Sequence, residues 1–118
     1  LTGFVMGMDA SDIEERFARA LAKKKISFSF REHFFAPTRT TAGAIEVDFL
    51  VNTGGTVYPV FIDGMFSHKT SAQKTNDKIK DAIFDNAGMS YGFNPSQRIP
   101  GDELETQDAA DEVVKEMF

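Results

Sequence analysis

The chain has 118 residues, of which 42% are hydrophobic and 12 are Phe, so it suits one globular domain with a modest core. It has no Cys and only two His, which excludes disulfides, thiol catalysis and cysteine zinc sites, so a bound metal would be a hard cation on oxygen ligands. The net charge of −5 argues against simple electrostatic binding of nucleic acid, yet residues 98–118, with two basic and seven acidic side chains, carry all of this excess.

The first predicted elements are a helix and a strand. In "SDIEERFARALAKKK", Ser11 is a good N-cap, and Glu14 stands three residues later, at the spacing of a capping box. Apolar residues then recur at helical spacing. The following "ISFSF" alternates, so we expect a half-buried strand with Ile26, Phe28 and Phe30 on its inner face.

Two alternating segments follow a predicted loop at residues 36–43 and indicate a β-hairpin. In "AIEVDFLV", we expect one face to carry Ile45, Val47, Phe49 and Val51, and the other to carry Glu46, Asp48 and Leu50. A turn at residues 52–55 joins this strand to "VYPVFID". Because Pro59 lacks an N–H, we expect regular pairing to start after it.

The remaining chain predicts two helices and a fourth strand. After a polar loop at residues 64–75, "NDKIKDAIFDNAG" predicts a helix with Ile79, Ala82 and Ile83 inward and Gly88 as its stop. "MSYGF" alternates as a strand, "NPSQRIPGDE" is a turn-rich connector, and "TQDAADEVVKEMF" is an amphipathic helix. This order indicates a small α/β sandwich with a mixed sheet, and no apolar run approaches the roughly 20 residues of a membrane span.

Two carboxylates fall where strands of the hairpin meet. Asp48 interrupts an apolar strand, where an unpaired acid is expensive to bury, although Glu46 makes a solvated face an alternative. Asp63 ends the next strand before Gly64, which is also the pattern of an ordinary turn. In register, the two carboxylates and a backbone carbonyl would suit Mg²⁺, which would polarise a phosphate oxygen and acidify a bound water.

Other ionisable residues surround this predicted site. His68, with an ordinary pKa of about 6.5, would take a proton from water, although a loop histidine without a task is the commoner case. Asp77 lies in the predicted first turn of the second helix, where its negative charge either stabilises the helix N-terminus or orients His68. Glu14 is a capping residue or a site residue, and His33 is structural or lies at the surface. Four lysines follow, and they either form a solvated surface or stabilise the negative charge that develops during hydrolysis: Lys69, Lys74, Lys78 and Lys80.

With these residues in place, the chain resembles the very-short-patch-repair (Vsr-like) endonucleases, a branch of the PD-(D/E)XK superfamily. Within that branch it is most similar to the catalytic domain of homing endonucleases described by a Glu-Asp-x-His-Asp (EDxHD) motif. The resemblance covers residues 11–93. It rests on Glu14, Phe17, Leu21, Ile26 and Phe28, on Asp48 in "VDFLV", on Gly64, Phe66 and His68 in "FIDGMFSH", and on Asp77, Lys78 and Gly88.

The resemblance implies a restriction-endonuclease-like mixed β-sheet flanked by helices, and an endonuclease that hydrolyses phosphodiester bonds of double-stranded DNA with Mg²⁺ or Mn²⁺. Asp48 would bind the metal beside the carbonyl of Ile62. His68 would be the general base, with Asp77 behind it, and Glu14 would support the hydration shell of the metal. Asp63 stands where the family usually has His. It would either be a further metal ligand or have no role in metal binding. Phe66 and Lys69 would contact the substrate.

Departures from the family pattern favour a site-specific homing nuclease over a mismatch enzyme. Phe61 and Asp63 replace the second acid and the lysine of the superfamily, and the aromatic residue is typical of the Vsr-like branch. Ser67 replaces a Trp that mismatch enzymes use, and the structural zinc of the family is impossible without Cys. A T·G mismatch nickase, a non-catalytic DNA-binding module with the nuclease fold, and an RNA substrate remain alternatives.

Because the chain starts at Leu1 rather than Met, we expect a fragment of a longer protein. Its small size and acidic tail predict that a further DNA-recognition domain lies outside it. By the same resemblance, we expect it in the cytoplasm of a bacterial or phage-infected cell.

Overall fold

A computed structural model describes residues 1–35, 44–64 and 71–118. In chain order, it contains β1 (Phe4–Val5), β2 (Met8–Asp9), α1 (Asp12–Lys23), β3 (Ser27–Phe35), β4 (Ala44–Thr53), β5 (Thr56–Ile62), α2 (Ser71–Met89), β6 (Gln97–Ile99), a short 3₁₀ helix (Gly101–Leu104) and α3 (Gln107–Met117). The predicted order of helix, three strands, helix, strand and helix is confirmed, and a small β1–β2 ribbon precedes it. The predicted loop at residues 36–43 lies outside the described residues.

The four main strands form a mixed sheet in the order β3-β4-β5-β6, with β6 parallel to β5 and the other pairs antiparallel. Val60 packs with residues of α1 and α3, whereas its neighbour Phe61 packs with Phe84 of α2. Because successive strand residues point to opposite faces, α1 and α3 cover one face and α2 covers the other. No helix within the described ranges is both long and apolar enough to span a lipid bilayer.

The first helix forms as its sequence predicts. The backbone N–H of Ser11 donates to Glu14 Oε1 at 2.9 Å, and the Ser11 hydroxyl accepts from the Glu14 N–H, which completes the capping box. Phe17 and Leu21 are fully buried against the sheet, beside Val114 of α3. These residues belong to the larger hydrophobic cluster, which confirms the apolar periodicity predicted for α1 and the amphipathic character predicted for α3.

The prediction that Ile45, Val47, Phe49 and Val51 share one face is wrong. Phe49 belongs to the larger cluster, whereas Val47 packs with Phe61 and Phe84 in a second cluster. The change falls at Asp48, opposite Arg31 of β3, whose φ of +55° lies in the left-handed region. A left-handed residue inside a strand breaks the two-residue alternation, so the side chains beyond it reach the α2 face.

Pairing of the hairpin starts at the turn and not after Pro59, which corrects a second prediction. The ladder runs from Thr53–Thr56 to Phe49–Val60 and includes the pair Leu50–Pro59. The carbonyl of Val57 accepts from Asn94, so Val57 and, two residues on, Pro59 direct their backbone groups away from β4. The missing N–H of Pro59 therefore faces the β6 side, where the regular ladder begins only at Val60–Gln97.

The second helix is longer and rotated relative to the prediction. It begins at Ser71, inside the predicted polar loop, so Asp77 lies in its second turn. Ile79 is 53% exposed and Ala82 is also exposed, whereas Phe84 is buried. The side chain of Ile83 lies outside the description. Because residues 71–75 are all polar or small, no apolar period marks this start.

The fourth strand is also displaced. "MSYGF" closes α2 and turns at Gly92, whose φ is +79°, and only Phe93 forms an isolated bridge, to Val57. The strand is Gln97–Ile99, inside the predicted connector. Three residues are too few to display an alternation, and Ile99 is the single apolar side chain among them.

Candidate functional site

Asp48 lies half-buried in β4, between two strands of the sheet. Its Oδ2 accepts a hydrogen bond of 2.7 Å from the backbone N–H of Ile62, just beyond the last regular β4–β5 pair, Phe49–Val60. Burial raises the pKa of Asp48, and the negative charges of Glu14 and Glu46 raise it further. The hydrogen bond from Ile62 acts in the opposite direction. This carboxylate is therefore held in an environment that disfavours its own charge.

The other charged groups around Asp48 come from α1, β3 and β4. Arg31 Nη2 lies 3.2 Å from Glu14 Oε1, and Arg31 Nε lies 3.6 Å from Glu46 Oε1. His33, predicted to be structural or at the surface, is exposed, and its Nε2 is 3.9 Å from Glu46 Oε2. We call Glu14, Glu46 and Asp48, with Arg31, the acidic cluster. Glu14 thus keeps its capping role and also contributes to the field at Asp48.

Asp63 belongs to a second group, organised by Arg98 of β6. Arg98 Nη1 donates to Asp63 Oδ1 at 2.8 Å, and its Nε and Nη2 donate to the two carboxylate oxygens of Asp81 at 2.7 Å each. The guanidinium carbon lies 5.0 Å from the centre of the Phe61 ring. The Asp81 hydrogen bonds, with a smaller contribution from Asp63, raise the pKa of Arg98. Arg98 therefore ties the end of β5 to α2.

A cavity of about 550 Å³ opens beside Arg98, at the carboxyl ends of the parallel strands β5 and β6. Seven of its lining residues are charged, and they come from the end of β5, α2, β6 and the 3₁₀ helix: Asp63, Lys74, Asp77, Lys78, Asp81, Arg98 and Asp102. The structure thus brings the predicted site residues Asp63 and Asp77 to one cavity. Ile62 connects this strand-end cavity to the acidic cluster, because it donates to Asp48 and immediately precedes Asp63.

Three predicted site residues, Phe66, His68 and Lys69, lie outside the described residues. Sequence reasoning missed Arg98, Asp81 and Arg31 as parts of the site. Asp81 carries a usable signal, because it stands four residues after Asp77 and so shares a helix face with it. Arg98 and Arg31 carry none: one lies in a strand too short to recognise, and the other depends on an unusual backbone angle.

The donor chemistry of the acidic cluster fits a hard cation. All its acidic groups are carboxylates, they outnumber the guanidinium that faces them, and their mutual repulsion raises the pKa of Asp48. Across residues 1–35, 44–64 and 71–118, however, no three Asp, Glu or His side chains converge closely enough to hold a metal ion. Asp48 with backbone oxygen and water is therefore the ligand set that these residues offer.

Comparison with known proteins gives no match: no family model, curated protein or solved structure matches this chain. The acidic cluster and the strand-end cavity are therefore the features of the chain that bear on its function.

Proposed function

We propose that this chain is the catalytic domain of a metal-dependent, site-specific DNA endonuclease of the homing type, which hydrolyses phosphodiester bonds. The observation that carries the proposal is Asp48: a half-buried carboxylate in the middle of a sheet, with a raised pKa and with Glu14 and Glu46 close to it. Acids with perturbed pKa values cluster at functional sites. The element order supports the same proposal, since Glu14, Asp48, Asp63 and Asp77 follow in the order that the resemblance to Vsr-like nucleases implies.

Mg²⁺ or Mn²⁺ would be held by Asp48, the Ile62 carbonyl and water, and would polarise a phosphate oxygen and acidify its bound water. Asp63, which the resemblance offers as a further ligand, pairs with Arg98 instead. Glu14 and Arg31 set the charge around Asp48. His68, oriented by Asp77, remains our prediction for the general base. Double-stranded DNA is the proposed substrate, with sequence recognition supplied by a domain outside this chain.

The test is cleavage of supercoiled plasmid and mixed-sequence linear DNA in Mg²⁺, Mn²⁺ or EDTA. We expect metal-dependent nicking or cutting by the parent, with a loss of at least 100-fold in Asp48→Ala and His68→Ala, because each removes a group required for hydrolysis. Asp9→Asn is the matched control, since Asp9 is exposed on β2 and lies outside the acidic cluster. It should cleave like the parent.

Cleavage that survives both Asp48→Ala and His68→Ala would show that the site is wrongly assigned. If no form cleaves, the chain is fused to a DNA-binding domain and the assay is repeated. Continued inactivity of the fusion, with DNA binding intact, would contradict catalysis and favour the non-catalytic DNA-binding module. A T·G-containing duplex in the same series separates a mismatch nickase from a site-specific enzyme.

A further inference from the structure

Arg98 is a fixed cation in the wall of the strand-end cavity. A guanidinium has five N–H groups, and those that Arg98 directs to Asp81 and Asp63 account for three of them. Bidentate pairing and the Phe61 ring hold the group in one orientation, so little entropy is lost when a ligand binds it. The remaining N–H groups belong to a side chain that lines the cavity.

Lys74 and Lys78 add two more cations to the same cavity. They stand one helical turn apart on α2, both are exposed, and both line the cavity. In the ranges that the structure describes, neither lysine has an ion-pair partner, whereas Asp63 and Asp81 are engaged by Arg98 and Asp77 is engaged as well. The exposed Asp102, in the 3₁₀ helix, is the remaining carboxylate of the lining.

We propose that the strand-end cavity binds a phosphate group of the nucleic-acid backbone, with Arg98 as its fixed donor and Lys74 and Lys78 as flanking cations. The inference rests on the proposed nuclease function and deepens it by naming residues that contact the substrate. Planar guanidinium donors match phosphate oxygens, and lysines add charge without demanding one geometry. Ile62 and Asp63 place this phosphate next to Asp48, so the bound backbone passes beside the acidic cluster.

The lysine pair gives the first test. We compare Lys74→Gln/Lys78→Gln with Lys24→Gln/Lys115→Gln, a control that removes the same charge from exposed positions at the C-cap of α1 and on α3, on the other face of the sheet. Binding of a 16-base-pair duplex is followed by fluorescence anisotropy between 50 and 200 mM salt, with Ca²⁺ to limit cleavage. We expect the α2 pair to weaken binding on the order of tenfold and to lower the salt slope by about 2, while the control changes affinity less than threefold.

Asp102→Asn gives a test of opposite sign. Removing this charge from the cavity wall should tighten duplex binding, on the order of threefold, if the ligand is an anion, whereas a cation in the cavity would bind more weakly. Asp9→Asn, which makes the same change on β2, should have no effect. A titration with inorganic phosphate to millimolar concentration distinguishes a site for the nucleic-acid backbone from a site for free phosphate. The ¹⁵N chemical shift of Arg98 Nε is followed, and only a site for free phosphate would saturate in the absence of nucleic acid.

Arg98→Lys keeps the positive charge but lacks the planar N–H donors of the guanidinium. Thermal unfolding of this variant is measured first, to show that it folds, and duplex binding is measured afterwards. Equal effects of the two lysine pairs, weaker binding by Asp102→Asn, or no duplex binding by the parent would each overturn the inference. The nuclease proposal fails separately: binding that depends on Lys74 and Lys78 without metal-dependent cleavage would keep the cavity and reject catalysis. Cleavage that requires Asp48 but is unaffected by substitution of the lysines would support catalysis and reject the cavity as a phosphate site.

Discussion

At the scale of single residues, the Asp48 carboxylate lowers stability in its ionised form. Its pKa is higher in the folded chain than in the unfolded chain, so folding favours the protonated form, and the penalty at neutral pH disappears as the pH falls through the folded pKa. Asp48→Asn removes the charge and keeps an oxygen that accepts from Ile62. We expect its Tm at pH 7 to rise by about 2–5 °C, measured by calorimetry, with the two proteins converging in acid. A lower Tm than the parent's at pH 7, with Asp9→Asn unchanged, would contradict this.

Glu15 behaves in the opposite way and anchors the N-terminal ribbon. Its buried carboxylate accepts from the backbone N–H groups of Thr2 and Gly3 at 2.7–2.9 Å and pairs with Arg19 at 3.0 Å. The Thr2 bond is the largest of the contacts that lower the pKa of Glu15 from 4.5 to about 2. This contribution to stability is complete above pH 4.5 and is lost as the pH falls toward 2.

We expect Glu15→Gln to unfold at a lower temperature than the parent at pH 7, and the difference to shrink to nothing near pH 2. Thermal unfolding by circular dichroism between pH 2 and 7 measures it. Glu112→Gln is the control, because it makes the same change at an exposed position of α3, away from the contacts of Glu15. A difference between Glu15→Gln and the parent that is constant across this range would show that the carboxylate does not titrate as described.

At the scale of elements, fewer of the described side chains of α2 than of α1 are buried against the sheet. Phe84 is a buried apolar side chain of α2 in the second cluster, with its ring centroid 5.7 Å from that of Phe61, and the Arg98–Asp81 ion pair adds a polar contact. We expect Phe84→Ala to destabilise this layer by about 3 kcal/mol. Hydrogen exchange should speed up in peptides of residues 71–89 and stay unchanged in α1 and α3.

Ile79→Ala, a truncation at an exposed position of the same helix, is the control for that experiment and should leave exchange unaltered. If Phe84→Ala accelerates exchange equally in α1, α2 and α3, the two layers unfold as one unit and the interpretation is wrong. The same measurement defines how readily the wall of the strand-end cavity that carries Lys74 and Lys78 can move.

The elements also show which patterns were sufficient for prediction. α1 and α3 are predictable because their apolar residues recur at helical spacing, and the hairpin is predictable because two alternating segments flank a turn at residues 52–55. In the structure, Gly54 and Gly55 of that turn both have positive φ. α2 and β6 were misplaced because the first turn of α2 is polar and β6 has three residues. Where local periodicity is absent, packing decides the element, and packing is not visible in the sequence.

At the scale of the whole molecule, the predicted mixed α/β architecture is confirmed, while the candidate site is assembled from contacts that sequence spacing does not report. Asp48 and Ile62 are joined by the register of the hairpin, which could be anticipated. The contacts among Asp63, Asp81 and Arg98 depend on the parallel pairing of β6 with β5, which brings Arg98 next to Asp63, 35 residues earlier in the chain. The charge distribution is consistent with this arrangement, because the acidic α3 lies on the face opposite α2 and the strand-end cavity.

The left-handed backbone of Arg31 places two incompatible demands on one position. Its φ of +55° suits glycine, which would remove the local strain. Glycine would not, however, supply a positive charge to the acids around position 31. The side chain of Arg31 is the counter-ion of Glu14 and Glu46, which only a long cation can replace. A search for stabilising substitutions guided by backbone angle alone would select glycine here and would leave three carboxylates facing one another. Position 31 is therefore one at which improving the backbone and preserving the charge balance exclude each other.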